Sequence, residues 1–170
     1  SGLEQLRTAI AYQKEHFPDM SLATERLETY DDANTDYNRL SEALTTYPDV
    51  TGIVGGPMPT SAGAGRLIAE RGLKDKVFFS GTGLPSVAGK YLQDGDIQYI
   101  QFWDPAVAAY AMNSLAVMAL SEKKDEIKAG LNLGLKGYES LTTPEGASPN
   151  LLYGQGWVGV TKDNMADYNF

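Results

Sequence analysis

The sequence lacks several of the residues on which common protein chemistry depends. Among its 170 residues there is no cysteine and a single histidine, His16. The absence of cysteine excludes a disulfide, thiolate chemistry and a cysteine-ligated zinc site. Because His16 ends a polar, helix-like segment just before Phe17 and Pro18, we interpret it as a solvated surface residue. Ser-His-Asp, Cys-His and histidine-rich metal sites are therefore not expected within this chain.

A block of basic residues and a long apolar run are also missing. The chain has 22 acidic and 14 basic residues and a net charge of −8, and its Lys and Arg residues form no stripe. Nucleic acid and anionic membrane surfaces are therefore not expected partners. The longest apolar stretch, residues 105–120, is interrupted by Asn113 and Ser114 and is short for a membrane span. No secretory leader is visible at the first residues.

The sequence does contain a globular composition and a regular alternation of helix and strand patterns. With 42% apolar residues, it can form one domain, or one complete lobe and part of another. Apolar spacing predicts, in chain order, a helix at 3–16, a strand at 22–30, a helix at 37–47, a strand at 50–55, a helix ending at Arg71, a strand at 77–79, a further helix, and a strand at 97–102. This alternation predicts an α/β fold with a mainly parallel sheet and helices on both faces. Because the first element is a helix, we expect the strand that feeds it to lie upstream, in a longer protein.

Residues 77–105 are the centre of this pattern. The apolar run at 77–79 breaks into Gly81-Thr82-Gly83, a helix-like segment follows, and a second β-rich run ends in Trp103-Asp104-Pro105. Two strands joined in this way form a right-handed βαβ unit with parallel strands. Since small ligands bind at the carboxyl ends of strands in open α/β sheets, we expect a site at these tips.

The last third of the sequence departs from the alternation. Residues 105–124 predict one long helix, with Asp104 as its N-cap. This helix is apolar on almost every side, so we expect it to be buried by sequence outside this chain or by a second copy, as a dimer or an exchanged helix. Alternating leucines predict a strand at 131–135, residues 151–161 predict another, and the tail at 162–170 suggests a closing turn of helix.

Two glycine pairs match part of a nucleotide-binding fingerprint. Gly81-Thr82-Gly83 follows a strand and precedes a helix, but Ser86 occupies the position of the third glycine. Gly63-Ala64-Gly65 fails in the same way at Ile68, and the phosphate-loop sequence GK[ST] occurs nowhere. Nucleotide binding is therefore disfavoured, and we interpret these glycines as tight strand-to-helix turns that need a positive φ.

Pairs of carboxylates are candidates for acid–base chemistry. Asp31-Asp32 and the pair Asp94 and Asp96 fall in predicted turns, where aspartate bonds its own backbone, so we favour a structural role for both. Thr35 or Asp36 is the expected cap of the helix that follows the first pair.

Trp103-Asp104 is the most informative candidate for binding. A tryptophan at a strand tip can stack on the apolar face of a sugar ring, and an aspartate can accept hydrogen bonds from the sugar hydroxyls. Alternatively, Trp103 belongs to the core and Asp104 caps the helix, and for Asp104 we favour the cap. The loop at residues 56–60 follows the preceding strand, and its two prolines suit a rigid ligand wall or a plain turn.

These segments, in this order, resemble one protein family. The runs YPDVTGIVGG, KVFFSGTGLPSVAGKYLQDGDIQYIQFWDPAVAAYAMNSLAVMAL and KDNMADYNF resemble the C-terminal part of type I periplasmic solute-binding proteins of sugar ABC importers. The likeness is greatest to the branch that includes the autoinducer-2 and rhamnose binding proteins, and it covers nearly all of residues 1–170.

The resemblance implies two α/β lobes that close on a ligand and are joined by three crossing segments. Residues 1–104 would form the C-terminal lobe without its first strand, 105–130 would belong mainly to the N-terminal lobe, and 131–170 would return to the C-terminal lobe. A signal peptide and about 130 residues would precede Ser1. The implied ligand-binding residues are Pro57, Met58, Gly83, Leu84, Pro85, Trp103 and Asp104.

The resemblance also sets the expected function. The chain would be part of an extracytoplasmic solute-binding protein that presents its ligand to the membrane permease of an ABC importer, without catalysis, cofactor or metal. The autoinducer-2 branch tends to place an acidic residue in the first strand-tip loop, where this chain has Pro57, so we expect a sugar or related polyol. The expected location is the periplasm or, for a lipoprotein of a Gram-positive organism, the outer face of the membrane.

Two alternatives from other classes stay open on the sequence. One is the effector-binding domain of a sugar-responsive transcriptional repressor, which has the same fold. The other is a small α/β enzyme that uses a nucleotide. Fold alone does not separate these functions.

Overall fold

The computed structural model describes residues 2–168, with side chains from Leu6 onward. The chain divides into two compact units: the first runs to Gln101 and resumes at Gly159, and the second comprises Phe102–Val158. The helices are α1 (Gly2–His16), α2 (Ala33–Thr46), α3 (Pro59–Arg71), α4 (Pro85–Asp94) and α5 (Pro105–Ala119). The strands are β1 (Gly52–Gly55), β2 (Phe78–Thr82), β3 (Tyr99–Trp103) and β4 (Trp157–Val160).

The four strands form one sheet in the order β1-β2-β3-β4. β1 pairs parallel with β2, and β2 pairs parallel with β3, with Gly81 opposite both Gly55 and Ile100. Helices α3 and α4 make the two βαβ connections. The predicted α/β fold with a mainly parallel sheet is therefore confirmed, and the carboxyl ends of β1, β2 and β3 meet at one edge.

Local sequence signals explain where the connecting helices begin and end. Pro59 and Pro85 occupy the first turns of α3 and α4, where the missing N–H costs nothing. Gly72 and Gly95 end these helices with φ of +60° and +78°, in the left-handed conformation that glycine adopts without strain. The core beneath them consists of nearly inaccessible apolar side chains, among them Leu67, Ile68, Phe79, Leu92, Ile97 and Ile100.

The strand predicted at residues 22–30 is wrong, because this segment forms no regular element. Its apolar residue Leu22 is 58% exposed, and Arg26 pairs with Glu28 at the surface. The segment ends in Tyr30 and Asp31, both with positive φ. An alternation interrupted by charged residues leaves no apolar face to bury, so the sheet gains nothing from including it.

The long helix is shorter than predicted. Helix α5 ends at Ala119 rather than at residue 124. Ala111 is the one buried residue of α5, whereas Tyr110, Met112 and Val117 are each more than 60% exposed. The described part of this chain therefore leaves much of the helix uncovered, and its burial by outside sequence or by a second copy stays a prediction.

The strand predicted at residues 131–135 is also wrong. These leucines lie in irregular backbone and a bend, and Gly134 among them has a positive φ, which an extended strand does not allow. The strand predicted at 151–161 shortens to β4, with an isolated antiparallel bridge between Thr142 and Tyr153.

The predicted helical tail is a single 3₁₀ turn at Met165–Asp167. Asn169 and Phe170, which belong to the same predicted tail, lie outside the described residues. Across residues 2–168, no helix combines the length and the apolar character needed to cross a membrane.

Candidate functional site

Two loops at the carboxyl edge of the sheet carry five of the seven predicted ligand-binding residues. Pro57 and Met58 follow β1, and Leu84 and Pro85 follow β2; all four are partly buried. Gly83, which precedes Leu84, is buried, and its N–H donates to the carbonyl of Gln101 in β3 at 3.0 Å. The parallel pairing therefore brings both loops to one edge of the first unit.

Ser61, in the first turn of α3, connects these two loops. Its hydroxyl donates to the carbonyl oxygen of Met58 at 2.8 Å, and the residue is fully buried. A Cβ added to Gly83 would lie 2.7 Å from the Oγ of Ser61 and 3.1 Å from a methyl carbon of Ile100. The loop after β1 and the loop after β2 are therefore packed together through a single serine.

The glycines of the Gly81-Thr82-Gly83 motif are required for space and not for a positive φ. Neither Gly81 nor Gly83 has a positive φ, so that expectation is wrong. A Cβ on Gly81 would collide with the backbone of Gly55 in the neighbouring strand, as one on Gly83 would collide with Ser61. Spacing along the chain does not contain this information, because the obstructing atoms belong to other elements.

Asp104 and Trp103 lie at the start of the second unit. The Oδ1 of Asp104 accepts hydrogen bonds from the N–H groups of Ala106 at 2.8 Å and Val107 at 3.4 Å, which confirms the predicted N-cap of α5. Trp103 is the last residue of β3 and is 50% exposed. Its ring is therefore accessible for stacking on a ligand.

An apolar groove of about 310 Å³ in the second unit has Trp103 in its wall. Met112, Tyr138 and Tyr153 also line it, and none of these three was predicted from the sequence. The Gly154-Gln155-Gly156 motif was the available signal, since a Cβ on Gly156 would lie 3.0 Å from the Tyr138 ring. In this protein the two glycines leave the space in which the Tyr138 ring lies against the backbone.

A sequence model of the family described as periplasmic binding protein domain matches residues 3–124 of this chain. The chain belongs to this family. Its members are binding proteins, and the type I fold predicted from the sequence agrees with the match. A comparison with curated protein sequences gives no match.

Solved structures of binding proteins have the same fold as this chain. A sugar ABC transporter protein from Actinomyces odontolyticus is 25% identical, with a TM-score of 0.65 over 85% of this chain and 45% of its own. LsrB from Clostridium saccharobutylicum, in complex with AI-2, is 19% identical, with a TM-score of 0.73 over 94% and 52%. A carbohydrate transporter solute binding protein from Agrobacterium radiobacter, in complex with D-arabinose, is 24% identical, with a TM-score of 0.66 over 97% and 48%. The chain therefore spans about half the length of these proteins.

Of the carboxylate pairs singled out in the sequence of this periplasmic binding protein domain, the first contains a residue, Asp32, for which the structure defines a structural role. Asp32 caps α2 by accepting hydrogen bonds from the hydroxyl and the N–H of Thr35, both at 2.7 Å, so neither Thr35 nor Asp36 is the cap. The Thr35 hydroxyl, followed by its N–H, lowers the pKa of Asp32. A carboxylate with a lowered pKa stays ionised and is a poor general acid. Among the described residues, no group of three or more Asp, Glu or His side chains could hold a metal ion.

Asp36 is the one acidic residue that the structure places fully inside the first unit close to the strand-tip loops. It is 0% exposed, and its Oδ1 accepts a hydrogen bond from the hydroxyl of Thr60 at 2.8 Å. Thr60 lies in the first turn of α3, directly after the Pro57–Met58 loop. Sequence reasoning missed this pair, because the two residues are 24 positions apart.

Proposed function

We propose that this chain is part of the extracytoplasmic solute-binding protein of an ABC importer and binds a sugar or a related polyol. The observation that carries the proposal is the convergence of the loops after β1 and β2 at the carboxyl edge, through Ser61, in a chain that belongs to the periplasmic binding protein domain family. Ligands of open α/β sheets bind at this edge. The D-arabinose bound to the Agrobacterium radiobacter neighbour supports a sugar as the ligand class.

The proposed contacts divide into two kinds. Pro57, Met58, Leu84 and Pro85 offer partly buried, conformationally restricted walls, and Gly83 allows the close approach of backbone to ligand. Trp103 offers an exposed aromatic face for stacking, and the carboxylate of Asp104 can accept hydrogen bonds from hydroxyl groups. All of these interactions bind and orient a ligand, and none of them transfers a group or an electron.

We further propose the lobe assignment that the resemblance implies. Residues 1–104 and 131–170 belong to the C-terminal lobe, and 105–130 mainly to the N-terminal lobe, of a protein about twice as long as this chain. The exposed apolar side chains of α5 support this assignment, since a partner would cover them in the longer protein. The complete protein would act in the periplasm or outside the cell and deliver its ligand to a membrane permease. The three neighbours described above favour transport over the repressor alternative.

Calorimetric titration of the full-length protein with a panel of aldoses, ketoses and polyols tests this function. We expect saturable binding of at least one member, and about fivefold weaker binding after Trp103→Ala, because stacking on an aromatic ring is worth about 1 kcal/mol beyond its buried area. Trp157→Ala is the matched control, since Trp157 is an aromatic residue of similar exposure at 42%. The absence of binding across the whole panel would refute the proposed ligand class.

A further inference from the structure

The buried pair Asp36–Thr60 leaves one carboxylate oxygen of Asp36 without a hydrogen bond from the described part of the chain, an arrangement that a contribution to the stability of the fold does not explain. Asp36 lies in the first turn of α2, and its Oδ1 accepts the hydrogen bond from Thr60, which is itself only 6% exposed. Its second oxygen, Oδ2, accepts no hydrogen bond from any residue between positions 2 and 168. Burying a carboxylate with one oxygen unpaired is unfavourable, so the residue is a poor choice for merely filling the space between two helices.

The first turn of α3 is held only weakly by its own backbone. Met58 occupies the N-cap position but makes no side-chain capping bond. The N–H groups of Thr60 and Ser61 reach back to the carbonyls of Pro57 and Met58 over 3.3 and 3.4 Å, which is long for this kind of bond. Besides the hydrogen bond from the Ser61 hydroxyl to the carbonyl of Met58, the position of this turn and of the loop before it therefore depends on contacts from elsewhere in the fold.

Helix α2 is close enough to supply such a contact. Gly63, one turn beyond Thr60, lies against the first turn of α2: a Cβ there would be 3.0 Å from the Cβ of Asp36 and 3.2 Å from the carbonyl oxygen of Ala33. The hydrogen bond from the Thr60 hydroxyl to Asp36 therefore ties the first turn of α3 to the first turn of α2.

We propose that Asp36 is a positioning residue of the ligand-binding edge. Through Thr60 it fixes the first turn of α3 against α2, and so fixes the Pro57–Met58 loop that precedes this turn. Asp36 does not contact the ligand in this role. The inference rests on the proposed function, because it assigns to Asp36 the preorganisation of a loop that the proposal places against the sugar.

Three substitutions in the full-length protein separate positioning from simple packing. Thr60→Val keeps the shape of the side chain and removes the hydroxyl, whereas Thr60→Ser keeps the hydroxyl. Tyr37→Phe is the matched control, since it removes a 2.6 Å hydrogen bond from Tyr37 to Glu70 between the same two helices, away from the loop. For each variant, hydrogen exchange is measured at the amides within residues 58–62, which are those of Met58, Thr60, Ser61 and Ala62, and sugar affinity is measured by calorimetry.

We expect Thr60→Val to accelerate exchange at residues 58–62 about tenfold and to weaken sugar binding about tenfold, the change expected on losing a buried hydrogen bond and leaving its acceptor unpaired. Thr60→Ser should restore both values towards those of the wild type. Tyr37→Phe should leave exchange at these amides and affinity unchanged, even where it lowers overall stability.

Equal effects of Thr60→Val and Tyr37→Phe, or no local change with Thr60→Val, would overturn the inference and leave Asp36 a packing residue. If the wild-type protein binds no sugar at all, the proposed function fails. The exchange comparison needs no ligand, so it still decides whether Asp36 fixes the loop. The two failures are therefore distinguishable.

Discussion

The hydroxyl of Ser61 occupies the space that a side chain at Gly83 would need. A Cβ on Gly83 would stand 2.7 Å from this oxygen and 2.9 Å from the Cβ of Ser61. Ser61 lies in the first turn of α3, after β1, and Gly83 lies in the loop between the end of β2 and the start of α4. The contact therefore joins two consecutive βαβ connections at the edge where the ligand is proposed to bind.

We predict that Gly83→Ala destabilises the protein by about 1–3 kcal/mol, the usual cost of inserting a methyl group into a packed site. Sugar affinity should fall as well, because Ser61 must move and its hydroxyl holds the carbonyl of Met58. Gly52→Ala at the start of β1 is the control, since a Cβ there meets nothing within 4 Å. Urea unfolding measures the free energy of unfolding, and calorimetry measures the sugar affinity. A Gly83→Ala variant as stable as Gly52→Ala would show that Ser61 can move at little cost in free energy.

Asp104 has a capping role and a proposed binding role, which substitution can separate. Asp104→Ala removes the acceptor of the Ala106 and Val107 N–H groups and should cost about 1 kcal/mol of stability. Asp104→Ser can cap the helix and should recover most of that loss. If the carboxylate binds ligand hydroxyls, affinity stays low in both variants. An Asp104→Ser protein with wild-type affinity would assign the residue to capping alone.

The stability of the α2–α3 contact should depend on pH through Glu70. The hydrogen bond from the Tyr37 hydroxyl, followed by that from Arg66, holds the pKa of Glu70 below its ordinary value of 4.5. Because the pKa of Glu70 is lower in the folded state than in the unfolded state, the ionised side chain stabilises the fold at pH values above the unfolded-state pKa. This contribution is lost as the pH falls through the lowered, folded-state pKa. Glu70→Gln should therefore be less stable than wild type near pH 7, with a gap that narrows near pH 3 in urea unfolding.

Since Glu70 is exposed, this gap should be small and should shrink in high salt. Glu42→Gln, at an exposed position of α2, provides the comparison. A gap for Glu70→Gln that is the same at both pH values would contradict an ionic origin.

Helix α5 should cause the 170-residue chain to self-associate when it is prepared by itself. Tyr110 and Val117, two helical turns apart on one face of α5, are 61% and 68% exposed, and Met112 is 64% exposed, which leaves apolar side chains in contact with water. We expect the mean mass in light scattering to rise with concentration, and Val117→Glu to reduce this rise. Asn38→Glu, at an exposed polar position of α2, should have less effect. A monomer at all concentrations would rule out association through this face.

Much of the sheet could be predicted because its signals are local. The N-cap at Asp104 depends on residues within one turn, so it can be identified without knowing the fold. The loop predicted at residues 56–60 is wrong from Pro59 onward, because Pro59 and Thr60 already belong to α3. Whether residues 22–30 form a strand could not be predicted in this way. A short alternation of apolar and polar residues does not specify a strand unless a neighbouring strand and a buried face are available.

Periodicity, capping and turn chemistry act over a few residues, so the amino-acid sequence was enough to predict the alternation of strands and helices from β1 to α5, the parallel βαβ units and the loops at their carboxyl ends. The folded structure was needed to show why Gly83 is a glycine, that Asp36 contacts Thr60, and that Tyr138 and Tyr153 line a groove with Trp103. These relationships join residues that are far apart along the chain. Their energies depend on distance and burial after folding, and no local pattern records them.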